Sequence, residues 1–289
     1  MSTMERVFKE IHIEGRNPPS KIKMEKYQNG DEVVSVCMTR TKNPAFPTCK
    51  FTSCLNADWD GVKTLDEAKN MLKNGWAEKV DVVKKSMKDT QRKNFSMKNS
   101  GLKTDVVGFV PIVPNAILGL PNSMLNTSVK PKKNKVIDII YGLDFSASVS
   151  KDNIIEYGLQ VMKRVCKLEA EGFRVRLTCM QVYADNMDEF HIMTVKCKSE
   201  DQPLDAQRIM FPMFHTSMFR VIGFGWYETL PESTHLYGYG KPLYYFMSQN
   251  QIDNMIEQLF GRTAIYIDGT CIMKEGEKYI DKRLGGKAI

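Results

Sequence analysis

The chain has 289 residues, a net charge of +7 from 41 basic and 34 acidic side chains, and 42% hydrophobic residues. These proportions exclude disordered, collagen-like and low-complexity proteins, which have fewer core-forming residues or far more Gly and Pro. A length of about twice the usual domain size predicts two packed units.

Membrane insertion and export are not predicted. No run of about 18 apolar residues occurs, and the first ten residues lack the basic and apolar regions of a secretory signal. Seven Cys, scattered and odd in number, indicate reduced thiols rather than a disulfide framework. We therefore expect a protein with no membrane partner.

Two elements are predicted in the first half. The short apolar alternation at Val33, Val34, Val36 and Met38, after the turn signal Asn29-Gly30-Asp31, predicts a strand entered from a hairpin. A capping box at Thr64–Glu67 predicts a helix, which Gly75 is placed to end.

Most of the positive charge lies in the segment 79–104, which contains eight basic residues and two acidic ones. A second cluster at 130–135 contains four Lys. Such a concentration is typical of contacts with a phosphate backbone or an acidic protein surface, although a solvated linker or helix face has the same composition. The nucleic-acid-binding candidates are Lys84, Lys85, Lys88, Arg92, Lys93, Lys132 and Lys133.

Three sequence segments resemble those of a known family. The segment Asp58–Trp76, with Gly108-Phe-Val-Pro111 and Gly119-Leu-Pro-Asn-Ser-Met124, resembles a family of uncharacterised proteins encoded by tailed bacteriophages. The resemblance implies a phage setting, hence the host cytoplasm or the virion, and it implies no activity.

The polar stretch from 122 to 134 predicts a domain boundary near residue 130. We expect residues 1–130 to form a mixed α+β region and residues 131–289 to form an α/β domain.

The second half opens with a pattern typical of a parallel sheet. The apolar run Val136–Leu143 predicts a central strand covered on both faces, and the helix and the strand that follow it predict a crossover connection. A later strand, Thr263–Ile267, ends at Asp268-Gly269.

Asp144-Phe-Ser146-Ala-Ser148 follows the first of these strands. An Asp at the carboxyl end of a parallel strand, with hydroxyls two and four residues later, can direct three oxygen ligands at one Mg²⁺ or Mn²⁺ ion. The same residues are also common as turn residues and helix caps, so both interpretations stay open.

This order of elements resembles the von Willebrand factor A domain: a strand ending in Asp-x-Ser-x-Ser, a helix, a strand pair, and a later strand ending in Asp-Gly. The resemblance implies a doubly wound, mainly parallel sheet and a metal-ion-dependent adhesion site, whose ion a partner's acidic residue completes. The implied ligands are Asp144, Ser146, Ser148 and Asp268, with Thr234 or Thr216 as the middle ligand.

The sequence departs from the pattern of that family at three positions. Asp138 and Gly142 interrupt the first strand, and Ile267 stands where the family usually has Thr. These departures are typical of a degenerate form of the site.

No catalytic residue is predicted. The four His residues lack metal-binding spacing, Cys37, Cys49 and Cys54 lack a paired zinc knuckle, and neither a phosphate-binding loop nor a nucleophile elbow occurs. A hydrolase using Asp144 and Asp268 would need a base and a nucleophile that the sequence does not show. The aromatic segment 211–245 fits a core or a binding surface.

The sequence therefore predicts a phage-encoded binding or assembly protein that acts through a metal-dependent face. The alternatives are a nucleic-acid-binding protein that uses the basic segments and a structural virion component. Homo-oligomerisation stays open.

Overall fold

The apolar run predicted as a buried central strand lies inside a six-stranded sheet. The computed structural model describes residues 4–40, 49–76, 81, 85, 102–107, 110–127, 135–146, 149–186, 188–230 and 240–285. Its strands are β1 (Glu5–Ile11), β2 (Ser20–Tyr27), β3 (Leu102–Asp105), β4 (Val110–Pro111), β5 (Met124–Thr127), β6 (Val136–Gly142), β7 (Arg174–Ala184), β8 (Glu189–Lys198) and β9 (Ala264–Asp268).

The helices lie between these strands and after the last one. They are α1 (Gly30–Thr39), α2 (Ala57–Asp60), α3 (Leu65–Asn74), α4 (Val113–Ile117), α5 (Lys151–Ala170), α6 (Ala206–Phe214), α7 (Phe224–Glu228), α8 (Gln249–Phe260), α9 (Gly269–Glu275) and α10 (Glu277–Gly285), with a π-helical turn at Met218–Gly223 and a 3₁₀ turn at Leu243–Tyr245.

The large sheet has the strand order β1-β2-β8-β7-β6-β9. β6 pairs in parallel with both β7 and β9, and β2 pairs in parallel with β8, whereas the β1–β2 and β7–β8 pairs are antiparallel. The α/β class and the mainly parallel sheet are thus confirmed. A second sheet, of order β3-β5-β4, is antiparallel.

Helices cover both faces of the large sheet. Neighbouring residues of a strand point to opposite faces, so β6 contacts the helices on both sides. Ile140 faces a core that includes Ile252 and Met255 of α8. The adjacent Ile139 faces a larger core that includes α5 and α6. β6 is therefore buried on both faces, as its continuous apolar sequence predicts.

Capping side chains set the starts of the predicted helices. Ser150 accepts a hydrogen bond from the Asn153 amide at the start of α5, and Ser248 forms a capping box with Gln251 at the start of α8. Thr64 caps α3, which ends at Gly75 with a φ of +80°. The helix predicted from the capping box at Thr64 and the helix predicted after the first apolar strand are both confirmed.

The strand predicted at Val33–Met38 is wrong, because these residues belong to α1. The Asn29 side chain accepts a hydrogen bond from the Glu32 amide and caps this helix, and Val33, Val34 and Cys37 form its buried stripe. Asn29-Gly30 therefore starts a helix instead of turning a hairpin.

Residues on both sides of the predicted boundary near 130 contribute to one sheet. β2 pairs with β8, with Met24 opposite Ile192, and the larger core also combines both regions. Residues 128–134 themselves lie outside the described part of the chain.

The described part of the aromatic segment lies mainly in the core. Phe211, Phe214, Trp226 and Tyr227 are at most 1% exposed, whereas Tyr245 is exposed. The core interpretation of this segment is confirmed for these four residues.

Glu25 on β2 is the centre of a buried polar network. Its carboxylate accepts hydrogen bonds from Arg40, from the Tyr27 hydroxyl at 2.6 Å and from the Trp226 indole at 2.6 Å. Arg6 donates a further hydrogen bond from the surface side at 2.9 Å. The network joins β2, the end of α1 and α7.

His215 is buried between the rings of Phe211 and Trp76, and its Nδ1 accepts a hydrogen bond from the Ser217 amide at 3.2 Å. Burial, together with the charge of Lys151, lowers the pKa of His215 to about 4. In the unfolded chain the group binds a proton below about pH 6.5.

We expect His215 to reduce stability in acid. The free energy of unfolding should fall as the pH drops from about 6.5 towards 4, by up to about 3 kcal/mol, because only the unfolded state gains the proton in this window. Urea unfolding at several pH values should show a flatter profile for His215→Gln. Parallel profiles for the two proteins would contradict this assignment.

No described helix has the length and apolar character needed to cross a bilayer.

Candidate functional site at the carboxyl edge of the sheet

Three Asp residues lie where parallel strands end. Asp144 follows β6, Asp185 follows β7, and Asp268 is the last residue of β9. Because β6 pairs in parallel with β7 and with β9, these strand ends lie at one edge of the sheet. Open parallel sheets bind ligands at this edge.

The Asp144 carboxylate is buried against β7. The residue is 4% exposed, and its two oxygens lie 3.1 and 3.2 Å from the Val182 amide nitrogen, which donates to them. Burial raises the pKa of Asp144 well above its usual value, against the effect of this hydrogen bond, and the charge of Asp268 raises it further.

Asp268 caps α9. Its Oδ1 accepts hydrogen bonds from the amides of Thr270 at 2.7 Å and Cys271 at 3.2 Å. Burial nevertheless raises the pKa of Asp268. The Thr270 hydroxyl donates to the Asp144 carbonyl oxygen at 3.3 Å and ties the two loops together.

Within the described residues, neither Asp144 nor Asp268 forms an ion pair. Both carboxylates lie close enough to Tyr266 for their charges to raise the pKa of its hydroxyl, although burial is the main cause of that shift. The Tyr141 hydroxyl, fully buried and in electrostatic contact with Asp268, has no described hydrogen-bond partner. The charge of Lys274 lowers the pKa of Asp268 only partly against burial. Two buried acids without an ion pair are costly unless they are protonated or bind a cation.

The other implied ligands are only partly described. Ser146 is half-buried, two residues after Asp144, whereas Ser148 and Thr234 lie outside the described residues. Thr216 is buried and packs against Gly61. The departure at Asp138 is structural, since this residue pairs with Arg176 at 2.9 Å and accepts a hydrogen bond from Thr263 at 2.7 Å.

Arg220 supports the loop that follows Asp144, a role that the sequence does not reveal. Its guanidinium donates to the carbonyl oxygens of Val149 at 3.1 Å and Trp59 at 2.8 Å, and it lies 3.9 Å from the centre of the Trp59 ring. Arg220 belongs to the π-helical turn and is buried. Its partners are 71 and 161 residues away, so no local pattern could identify it.

A second cluster joins β7 and β8. The ligand atoms of Asp185, Glu189 and His191 all lie within 4.8 Å of one another. His191 Nε2 is 2.8 Å from Asp185 Oδ2, the Tyr227 hydroxyl donates to Asp185 Oδ1 at 2.6 Å, and Glu189 pairs with Lys23 at 2.5 Å. The spacing of the four His residues does not predict this cluster. Its weak signal in the sequence is Glu189-x-His191, which places both side chains on one face of a strand.

The predicted nucleic-acid-binding residues lie mostly outside the described part of the chain. Lys85 is described and exposed. The remaining candidates are Lys84, Lys88, Arg92, Lys93, Lys132 and Lys133, all of which lie outside it.

The fold and the site define a mixed α/β protein with a mostly parallel sheet and a pair of buried carboxylates at its carboxyl edge. The chain belongs to the family described as Domain of unknown function (DUF7192), which matches residues 9–279. No curated protein and no solved structure matches it.

Proposed function

We propose that this protein is a non-catalytic, phage-encoded binding and assembly protein. A divalent cation held by Asp144 and Asp268 would bind an acidic residue of a protein partner. The observation that carries the proposal is the pair of buried carboxylates at the ends of adjacent parallel strands, neither of which forms an ion pair within the described residues. The charge of Lys274 lowers the pKa of Asp268, but burial outweighs it.

The order of elements supports a von Willebrand A-like unit. β6 leads to Asp144, α5 follows, β7 and β8 form the strand pair, and β9 leads to Asp268-Gly269. β6 lies between β7 and β9, so the loops that bear the two acids are neighbours.

The chemistry of the donors favours Mg²⁺ or Mn²⁺. Both are hard cations that take oxygen ligands and keep open positions for water or for a partner's carboxylate. A bound cation would also relieve the cost of burying two ionised acids. Ser146 supplies a further oxygen in the same loop.

Cation binding should stabilise the wild-type protein and not the Asp144→Asn variant. At a concentration of 100 times Kd, Mn²⁺ or Mg²⁺ should add about 2.7 kcal/mol, because the ion binds only the folded state. Thermal unfolding and calorimetric titration with each metal chloride measure this effect. Asn keeps an oxygen acceptor for the Val182 amide, so loss of the effect reports the lost charge.

Glu189→Gln is the matched control, since it removes a ligand from the second cluster and should leave the cation effect intact. The apparent affinity should rise with pH, because protons compete for Asp144, whose pKa is raised by burial. EDTA should release any partner that Asp144→Asn also fails to bind. An unchanged cation effect in Asp144→Asn would overturn the proposal.

A further inference from the structure

The small sheet forms an arm, defined here as residues 102–107 and 110–127. β5 pairs with β3 on one side and with β4 on the other, and α4 lies between β4 and β5. Among the described strands, these three pair only with one another. The three strands of the arm are thus not part of the large sheet.

The arm exposes a concentration of aliphatic side chains. Ile117 is 79% exposed and Leu118 is 73% exposed. Six of the nine exposed large hydrophobic residues of the described chain belong to the arm: Val106, Val107, Val113, Ile117, Leu118 and Leu120. Soluble proteins rarely expose apolar groups in such a concentration unless the surface binds something.

Charged residues are absent from the sequence around these apolar side chains and concentrated on either side of it. The sequence from 106 to 129 contains no charged residue, whereas the preceding segment 79–104 carries seven Lys and one Arg, and the cluster 130–135 carries four Lys. The apolar stretch is therefore bracketed by positive charge on both sides in the sequence.

We propose that the arm inserts its aliphatic side chains into the interface of a bilayer that contains anionic lipid. Aliphatic groups enter the boundary between headgroups and acyl chains, while flanking Lys residues are attracted to the negative surface potential. A contact of this kind needs no spanning helix, so it is compatible with the absence of a long apolar run, but it departs from the expectation, drawn from the sequence, of no membrane partner.

Other occupants fit less well. A nucleic acid could contact the Lys residues through its phosphates, but it offers no apolar phase for the exposed large hydrophobic residues of the arm, which are aliphatic and lack the rings that stack on bases. A specific protein interface is usually enriched in aromatic residues and Arg, and Lys predominates here. A second copy of the chain would bring two sets of Lys-rich flanks together, which like-charge repulsion opposes.

Vesicle sedimentation with the full chain tests the proposal. Partitioning should be at least about tenfold stronger on phosphatidylcholine vesicles containing about 30% phosphatidylglycerol than on pure phosphatidylcholine vesicles, because each Lys near the surface contributes about 1 kcal/mol. It should weaken as the salt concentration rises.

The double variant Ile117→Asp/Leu118→Asp should lose about tenfold or more in partitioning onto the anionic vesicles, since it places charge at the apolar surface. Both positions are highly exposed, and circular dichroism checks that the variant folds. Met38→Ser, at an exposed apolar position of α1, should bind like the wild type.

Absence of binding to anionic vesicles would overturn the proposal. Equal binding by the double variant would also overturn it, because charge alone would then explain the contact. A further contrary outcome is a protein that fails to bind vesicles and self-associates as its concentration rises. If the double variant abolished this self-association, the arm would be assigned to a second copy of the chain.

Discussion

Replacing Arg40 with Ala is expected to lower the free energy of unfolding by about 3–5 kcal/mol, because it leaves a buried carboxylate without its main cation. The side chains of Arg40 and Glu25 are each 8% exposed, and Arg40 Nη2 lies 2.6 Å from Glu25 Oε1. Burial alone would raise the pKa of Glu25, but hydrogen bonding and attraction to Arg40 lower it overall.

Arg6→Ala is the matched control for this effect. Arg6 bonds to the same carboxylate at 2.9 Å, but its side chain is 46% exposed, so its loss should cost at most about 1 kcal/mol. Urea unfolding of the two variants measures the contrast. Equal losses would mean that burial does not govern the strength of the ion pair.

The same network has a pH signature. Since folding lowers the pKa of Glu25 from its usual 4.5, the network contributes stability above that pH. The contribution is lost as the pH falls through the lower pKa of the folded state. Arg40→Ala should therefore show a weaker loss of stability in acid than the wild type.

Gly142→Ala is expected to destabilise the protein by about 1–3 kcal/mol through overpacking. A Cβ atom at this position would lie 2.2 Å from the Tyr266 hydroxyl oxygen and 2.8 Å from the ring carbon that bears it. The Tyr266 ring is 1% exposed in the core against α8, so it has little room to move.

A second substitution tests this cause. Tyr266→Phe removes the atom nearest to the added methyl group, so the double variant Gly142→Ala/Tyr266→Phe should recover part of the loss in a double-mutant cycle. Gly285→Ala, where a Cβ atom meets nothing within 4 Å, should be close to neutral. Additive losses in the cycle would show that the clash is not with the hydroxyl.

Local signals in the sequence were sufficient where one element determines its own conformation. The capping box at Thr64 marks a helix start, and the continuous apolar run of β6 identifies a strand covered on both faces. The positions of Asp144 and Asp268 followed from the same reasoning, because the carboxyl ends of parallel strands share one edge.

Long-range features could not be predicted in this way. In the network around Glu25, Arg40 is 15 positions away in the sequence and Trp226 is 201 positions away. No periodicity in the sequence predicts contacts between residues so far apart. The apolar alternation after Asn29-Gly30 predicts a strand, but Val33 and Val34 lie in the buried stripe of α1, a helix that the Asn29 side chain caps.

The parallel pairing of β2 with β8 determines when β2 can join the rest of the sheet during synthesis. Met24 pairs with Ile192, so at 5–20 residues per second the ribosome needs on the order of ten seconds to supply the partner of β2. Until then, β2 has an open edge that can pair with other chains. A chain that stops before β8 should therefore aggregate, although its first two strands are intact.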